Sequence, residues 1–69
     1  MEYTIKVKIH RVIKTFYVEK DTQKEVEQGI SAITGIDKKQ VSKYPIEIRE
    51  AKSNRLCYSS HFLTGIFSV

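Results

Sequence analysis

The chain begins with a segment in which apolar and polar residues alternate with a period of two. The apolar positions are Tyr3, Ile5, Val7 and Ile9, and the polar positions are Thr4, Lys6, Lys8 and His10. Because neighbouring side chains of a strand point to opposite faces, one face of this segment is apolar and the other is largely basic. The pattern predicts a half-buried β-strand over residues 3–10.

A second strand is predicted over about residues 13–19, where the aromatic and β-branched run Phe16-Tyr17-Val18 lies. Between the two strands stand Arg11 and Val12, with none of the glycine, proline, asparagine or aspartate residues that form tight turns. Two interpretations therefore stay open. The strands form a hairpin, or residues 3–18 form one long bent strand that is exchanged between subunits.

A helix is predicted over about residues 22–34. Thr22 and Glu25 have the spacing of a capping box, and Asp21 adds negative charge where the helix dipole is positive. The apolar residues Val26, Ile30 and Ile33 recur on one helical face. Gly35 follows where a left-handed residue ends a helix.

Gly29 lies on the apolar side of this predicted helix. A glycine inside a helix costs roughly 1 kcal/mol relative to alanine. We expect the glycine to allow a close approach of the helix to the sheet.

The second half of the chain predicts two more strands. Residues 36–43 indicate a loop or one further helical turn capped by Asp37, and Pro45 stops any helix. Residues 46–50 alternate as a third strand, Ser53-Asn54 forms a turn, and residues 56–59 form a fourth strand with an extension to Phe62 left open. The predicted fold class is α+β, with the order β-β-α-β-β and one amphipathic helix packed on one face of a small antiparallel sheet.

Length and cysteine content favour self-association. Sixty-nine residues form a single domain, whose core rarely supplies more than about 3–5 kcal/mol. One cysteine allows no intrachain disulfide, and no cysteine–histidine cluster offers a zinc site. We therefore expect a homodimer, whose partner-binding surface is the apolar C-terminal tail over residues 62–69. The candidate residues of this tail are Phe62, Leu63, Ile66, Phe67 and Val69.

The sequence predicts a soluble cytoplasmic protein. Lysines and glutamates interrupt the apolar runs that a signal peptide needs. The longest apolar stretch is shorter than the ~20 residues of a membrane-spanning helix, so no membrane partner is expected. The lone Cys57 suits a reducing compartment.

The sequence predicts no enzyme, no cofactor and no metal site. Ser59 and His61 share a strand face, but no carboxylate follows to orient the imidazole, and His10 has no second ligand at metal-binding spacing. Cys57 is typical of a small core residue. An enzyme active only as an oligomer, with Ser59 and His61 at a subunit interface, is the least favoured of three hypotheses.

The positive charge favours a second hypothesis, a nucleic-acid-binding module. The formal charge is +4 and the isoelectric point is about 9.3. The candidate contacts are Lys6, Lys8, Lys38, Lys39, Lys43, Arg49, Lys52 and Arg55. If Tyr17 or Tyr58 shares the open sheet face with these lysines, it offers a ring on which a base stacks. The competing interpretation is a solvated face whose lysines deter edge-to-edge pairing.

Three segments of the first half form a further pattern over about residues 3–30: Tyr3-Thr4-Ile5-Lys6-Val7, Phe16-Tyr17-Val18-Glu19, and Thr22 with Glu25-Val26-Glu27. In these segments the chain resembles the DpnD/PcfM-like group of small phage and plasmid proteins. The chain departs from the group in having Val26 where a small alanine is usual and in adding two strands. The group has no agreed catalytic site to carry over. The resemblance implies only an origin in a mobile element, and a phage-encoded protein would act in the cytoplasm of the host cell.

The leading hypothesis is a small non-enzymatic protein-binding module. It would be an inhibitor or adaptor of a phage or other mobile element that acts on a host protein as a homodimer. A nucleic-acid-binding module is the alternative.

Overall fold

Four strands and three short helices make up the computed structural model, which describes residues 1–60. The strands are β1 (Glu2–Ile9), β2 (Val12–Glu19), β3 (Ile46–Glu50) and β4 (Leu56–Ser59). The helices are α1 (Gln23–Gln28), α2 (Ile30–Thr34) and α3 (Lys38–Val41). The sheet is antiparallel, with the strand order β2-β1-β3-β4. The predicted α+β class and antiparallel sheet are confirmed.

The single helix predicted over residues 22–34 is wrong, because the helix is interrupted at Gly29. The N–H of Gly29 is shared between the carbonyl oxygens of Glu25 and Val26, at 3.0 and 3.1 Å. The predicted start at Thr22 and the predicted end at Gly35 are both confirmed. The N–H of Glu25 donates to Thr22 Oγ1 at 3.3 Å, and Gly35 has a left-handed φ of 76°.

The close helix–sheet approach expected at Gly29 is also wrong. A Cβ placed on this glycine would lie 3.3 Å from the Glu25 carbonyl oxygen and 3.4 Å from Ile33 Cδ1. Both atoms belong to the same helical segment rather than to the sheet. The glycine therefore accommodates the interruption between α1 and α2.

Strands β1 and β2 form a hairpin rather than one long bent strand. Their regular pairing runs from Glu2 opposite Glu19 to Ile9 opposite Val12, which leaves a two-residue turn at His10 and Arg11. Both turn residues have positive φ, 48° and 70°. Positive φ at both central residues is the signature of a type I′ turn, the turn that matches the twist of a hairpin.

The core lies between one face of the sheet and helices α1 and α2. Its fully or nearly fully buried residues are Tyr3, Ile5, Val7, Val26, Ile30, Ile46 and Ile48. The alternation of β1 is therefore confirmed, and the strand contributes three of these side chains. Gln23 Nε2 donates to the Cys57 carbonyl oxygen at 2.8 Å and so fastens α1 to β4.

Helix α3 is the further helical turn that the sequence allowed. Asp37 Oδ1 accepts a hydrogen bond from the N–H of Lys39 at 3.1 Å, as the predicted cap requires. Val41 packs against the edge of the core, and the chain then enters β3 through Tyr44 and Pro45.

Candidate nucleic-acid interface on the open face of the sheet

Among residues 1–60, one face of the sheet carries none of the buried core side chains. We call it the open face. Residues opposite each other in an antiparallel pair point to the same face, so the register defines its members. They are Glu2, Thr4, Lys6 and Lys8 of β1, Ile13, Thr15, Tyr17 and Glu19 of β2, and Glu47 and Arg49 of β3. The helix side chains that pack on the core, among them Val26 and Ile30, lie on the other face.

Tyr17 presents its ring on the open face together with two of the candidate lysines. Its side chain is exposed, at 77% of the residue surface. It lies opposite Thr4, and Lys6 is its diagonal neighbour at about 7–8 Å. Tyr58 lies opposite Ile48 and so belongs to the core face. Of Tyr17 and Tyr58, Tyr17 is therefore the one that shares the open face with the lysines and offers a ring on which a base can stack.

Lys6 stands in the middle of the open face. It is half-buried and lies opposite Thr15 on β2 and Glu47 on β3. Glu47 forms its ion pair with Arg49, whose Nε lies 2.6 Å from Glu47 Oε1. Within residues 1–60, no carboxylate forms an ion pair with Lys6.

Both candidate arginines, Arg49 and Arg55, bind groups within the chain. Besides its pair with Glu47, Arg49 donates from Nη1 to the Asn54 carbonyl oxygen at 2.7 Å. Arg55 Nη2 lies 2.7 Å from Glu50 Oε2, while Ser53 Oγ donates to Glu50 Oε1 at 2.7 Å. These bonds hold the turn between β3 and β4, so the two arginines are poorer candidates for phosphate than the lysines.

The Glu50 carboxylate is the centre of that turn. The hydrogen bond from Arg55, followed by the one from Ser53, lowers the pKa of Glu50 below its ordinary value of 4.5. The same pairing raises the pKa of Arg55. Both shifts favour the charged forms and therefore stabilise the pair at neutral pH.

Three further lysine candidates, Lys38, Lys39 and Lys43, lie on and after α3, next to the hairpin turn. The rings of His10 and Tyr44 are edge to face, with centroids 6.5 Å apart, and the Lys8 N–H donates to the Pro45 carbonyl oxygen at 3.2 Å. This arrangement brings the α3 segment to the same end of the sheet as the turn. We call this end the basic end; its cations are Lys8, Arg11, Lys14, Lys38, Lys39 and Lys43.

Sequence reasoning missed Arg11 and Lys14 as members of this group. Lys14 lies opposite Val7, two pairs away from Ile9 and Val12, which close the turn. Recognition of a two-residue turn would have placed both cations at the same end of the sheet as Lys8, with Lys14 on the core side, since it lies opposite Val7. The usual sequence signal of a two-residue hairpin turn is absent here, because the turn contains no glycine or asparagine.

The opposite end of the sheet is acidic. A cleft of about 300 Å³ is lined there by Met1, Glu2, Glu19, Glu50, Lys52 and Ser53. Glu2 and Glu19 are directly opposite each other in the register. Lys52 therefore lies apart from the other candidate lysines and among carboxylates.

The described residues give no further support to catalysis by Ser59 and His61 or by Cys57, or to a metal site. Ser59 lies opposite Glu47, and its predicted neighbour His61 lies outside residues 1–60. Cys57 is half-buried, and its Sγ contacts the Arg55 carbonyl oxygen at 3.5 Å. Residues 1–60 contain no group of three histidine, cysteine, aspartate or glutamate side chains that could hold a metal ion.

The partner-binding candidates of the apolar tail lie outside the described residues. They are Phe62, Leu63, Ile66, Phe67 and Val69. Protein binding through these residues, and a homodimer closed by them, stay predictions.

Comparisons with known proteins do not assign the chain to a family. No protein-family model, no characterised protein and no solved structure matches the chain. The relationship to DpnD/PcfM-like proteins therefore stays a prediction. Of the helices in the described part of the chain, none has the length and apolar character needed to cross a membrane.

Proposed function

We propose that the protein is a non-enzymatic module that binds single-stranded nucleic acid on the open face of its sheet. The observation that carries this proposal is the exposed ring of Tyr17 on the same open face as Lys6 and Lys8. Stacking of a base on an aromatic ring is worth about 1–3 kcal/mol, and it tolerates any base because every base has a π-face. Neighbouring ammonium groups hold the phosphates.

The charge distribution indicates the path that the bound nucleic acid takes across the open face. Thr4, opposite Tyr17, and Lys8 are four residues apart on β1, or about 13 Å. From Lys8 the surface continues into the basic end. In the other direction it reaches the carboxylates of Glu2 and Glu19, which repel phosphate. We therefore expect the phosphates to run from Tyr17 towards the hairpin turn.

The binding assay is fluorescence anisotropy of a labelled single-stranded oligonucleotide of mixed sequence, titrated at several salt concentrations. Neutralisation of phosphates makes the logarithm of the binding constant fall linearly with the logarithm of salt concentration. The double variant Lys6→Glu/Lys8→Glu should abolish binding at low salt. The matched control Lys24→Glu/Lys52→Glu makes the same change in net charge away from the interface and should retain binding.

Tyr17→Ala separates stacking from charge. Loss of about 1–3 kcal/mol corresponds to a roughly 5- to 150-fold weaker binding, with the salt dependence unchanged. Circular dichroism should show that every variant keeps its fold. A wild-type protein that does not bind at low salt, or a control pair that loses binding as fully as the Lys6/Lys8 pair, contradicts the proposal.

A protein partner is the second candidate, and Leu56 favours it. Leu56 is 48% exposed and lies opposite Arg49, in the same row of the open face as Tyr17 and Thr4. Exposed apolar side chains that share a surface are typical of protein-binding sites. An inhibitor or adaptor would use this row together with the apolar tail. The candidate gains support if the oligonucleotide does not bind.

A further inference from the structure

Strand β2 presents a long row of outward backbone groups. Met1 and Lys20 exchange hydrogen bonds: the Lys20 N–H donates to the Met1 carbonyl oxygen at 3.0 Å, and the Met1 nitrogen donates to the Lys20 carbonyl oxygen at 2.9 Å. Hydrogen-bonded and non-hydrogen-bonded pairs alternate in an antiparallel ladder. The residues whose N–H and C=O groups point away from β1 are therefore Ile13, Thr15, Tyr17 and Glu19.

The two edges of the sheet are protected to very different degrees. Edge strands that avoid pairing are usually short, bulged, or interrupted by proline and charges. The edge strand β4 has four residues, and its pairing with β3 is shifted between Ile48 and Arg49. The edge strand β2 has eight residues in unbroken register, with no proline or glycine and with Lys14 and Glu19 as its only charges. Of the two described edges, β2 is the one built to accept another strand.

We propose that β2 pairs in antiparallel fashion with β2 of a second copy of the chain, about a two-fold axis at Thr15. This arrangement places Ile13 opposite the partner's Tyr17 and Thr15 opposite the partner's Thr15. It also places Arg11 next to the partner's Glu19, so opposite charges meet at both ends of the paired segment. The proposal does not rest on nucleic-acid binding, but it uses two of the same residues, Tyr17 and Arg11.

The register follows from the side chains of β2. Outward residues must pair with outward residues, which restricts the axis to a few positions. An axis at Phe16 would place Ile13 opposite a glutamate, and an axis at Tyr17 would place Thr15 opposite that glutamate. An axis closer to the hairpin turn would shorten the paired segment. Only the axis at Thr15 brings Ile13 opposite the partner's Tyr17 while Glu19 meets the partner's Arg11; Lys14 then lies opposite the partner's Phe16. Aromatic–β-branched pairs such as Ile13 with Tyr17 are favourable.

The same register explains an exposed valine. Val12 is 56% exposed although it is the first residue of β2 and points to the core side of the sheet. In the proposed dimer it lies opposite the partner's Val18, which is half-buried at the edge of the core. The two cores then extend towards each other, and an eight-stranded sheet replaces two separate sheets.

Disulfide cross-linking tests the register in a Cys57→Ser background, which removes the native thiol. Opposite residues of a hydrogen-bonded pair have Cα atoms about 5.5 Å apart, within the range that a disulfide spans. Thr15→Cys should therefore form a covalent dimer under mild oxidation. In this register the two copies of residue 19 are offset by eight residues, or about 27 Å, so Glu19→Cys should stay uncross-linked.

Sedimentation equilibrium tests the dimer itself without a cross-link. The wild-type mass should rise from monomer to dimer with concentration. Ile13→Lys should give a folded monomer by placing an ammonium group at the new interface, whereas the control Leu56→Lys, on the same face but on β4, should stay dimeric. A wild-type protein that is monomeric at every concentration, a dimer that persists in Ile13→Lys, or equal cross-linking at positions 15 and 19 would overturn the proposal.

Discussion

The hairpin turn offers the sharpest test of the fold, because both of its residues have a conformation that ordinary side chains avoid. Arg11 has a φ of 70° and a side chain exposed to solvent. Arg11→Gly removes the Cβ that disfavours this conformation. Arg11→Ala removes the same charge and the same long side chain but keeps the Cβ. The difference in stability between the two variants therefore isolates the backbone conformation.

The expected magnitude follows from two opposing terms. A left-handed conformation costs a non-glycine residue roughly 1–2 kcal/mol. Glycine also gives the unfolded chain more freedom, which offsets about 0.4–1 kcal/mol of that gain. We expect Arg11→Gly to be more stable than Arg11→Ala by about 1 kcal/mol. For a domain of this size, 1 kcal/mol corresponds to a rise of roughly 4–8 °C in Tm.

Urea and thermal unfolding followed by circular dichroism measure this difference. Ser42→Gly is the reference for an ordinary position, since Ser42 has a φ of −69° and is exposed. Glycine should lower the stability there. If Arg11→Gly is no more stable than Arg11→Ala, residue 11 does not have a left-handed conformation in solution, and the two-residue turn is wrong. The long bent strand would then be the better description of residues 3–18.

Two further predictions concern the helix cap and the second hairpin. Thr22→Ala should lower the free energy of unfolding by about 0.5–2 kcal/mol, because the N–H of Glu25 loses its acceptor; an unchanged Tm would count against this helix start. Arg55→Gln should raise the pKa of Glu50 towards 4.5, as followed by NMR titration of the carboxylate. Because the folded-state pKa is lowered, this pair stabilises the fold above the unfolded pKa, and its contribution is lost as the pH falls through the folded value. A Glu50 titration identical in both proteins would contradict the assigned pair.

Local patterns predicted much of the fold because they were strong where the core is formed. The alternation in β1 identified Tyr3, Ile5 and Val7 as buried, and the capping residue identified where α1 begins. The interruption at Gly29 was not predictable in the same way. An apolar spacing of 3.6 continues across a single distorted residue, so the periodicity does not register the break.

The candidate interface depended on contacts between distant parts of the chain. Sequence alone could not choose between Tyr17 and Tyr58, because the register and the shift in β3–β4 pairing decide which face each ring occupies. The sequence also placed Arg49 among the candidate contacts for phosphate. Of the two residues that bind its guanidinium, Glu47 lies two residues away on the same face of β3, whereas Asn54 reaches it only through the turn between β3 and β4.

In the hairpin turn, Arg11 affects both the stability of the fold and the proposed binding of nucleic acid. Arg11 adds a cation to the basic end, yet it occupies a position where glycine would be more stable. Strained backbone that persists is commonly found where function requires the side chain. If the basic end contacts phosphate, Arg11→Gly and Arg11→Ala should weaken oligonucleotide binding equally, since both lose the guanidinium. Only the glycine variant should gain stability. An arginine that contributed nothing to binding would leave the strained turn without this explanation.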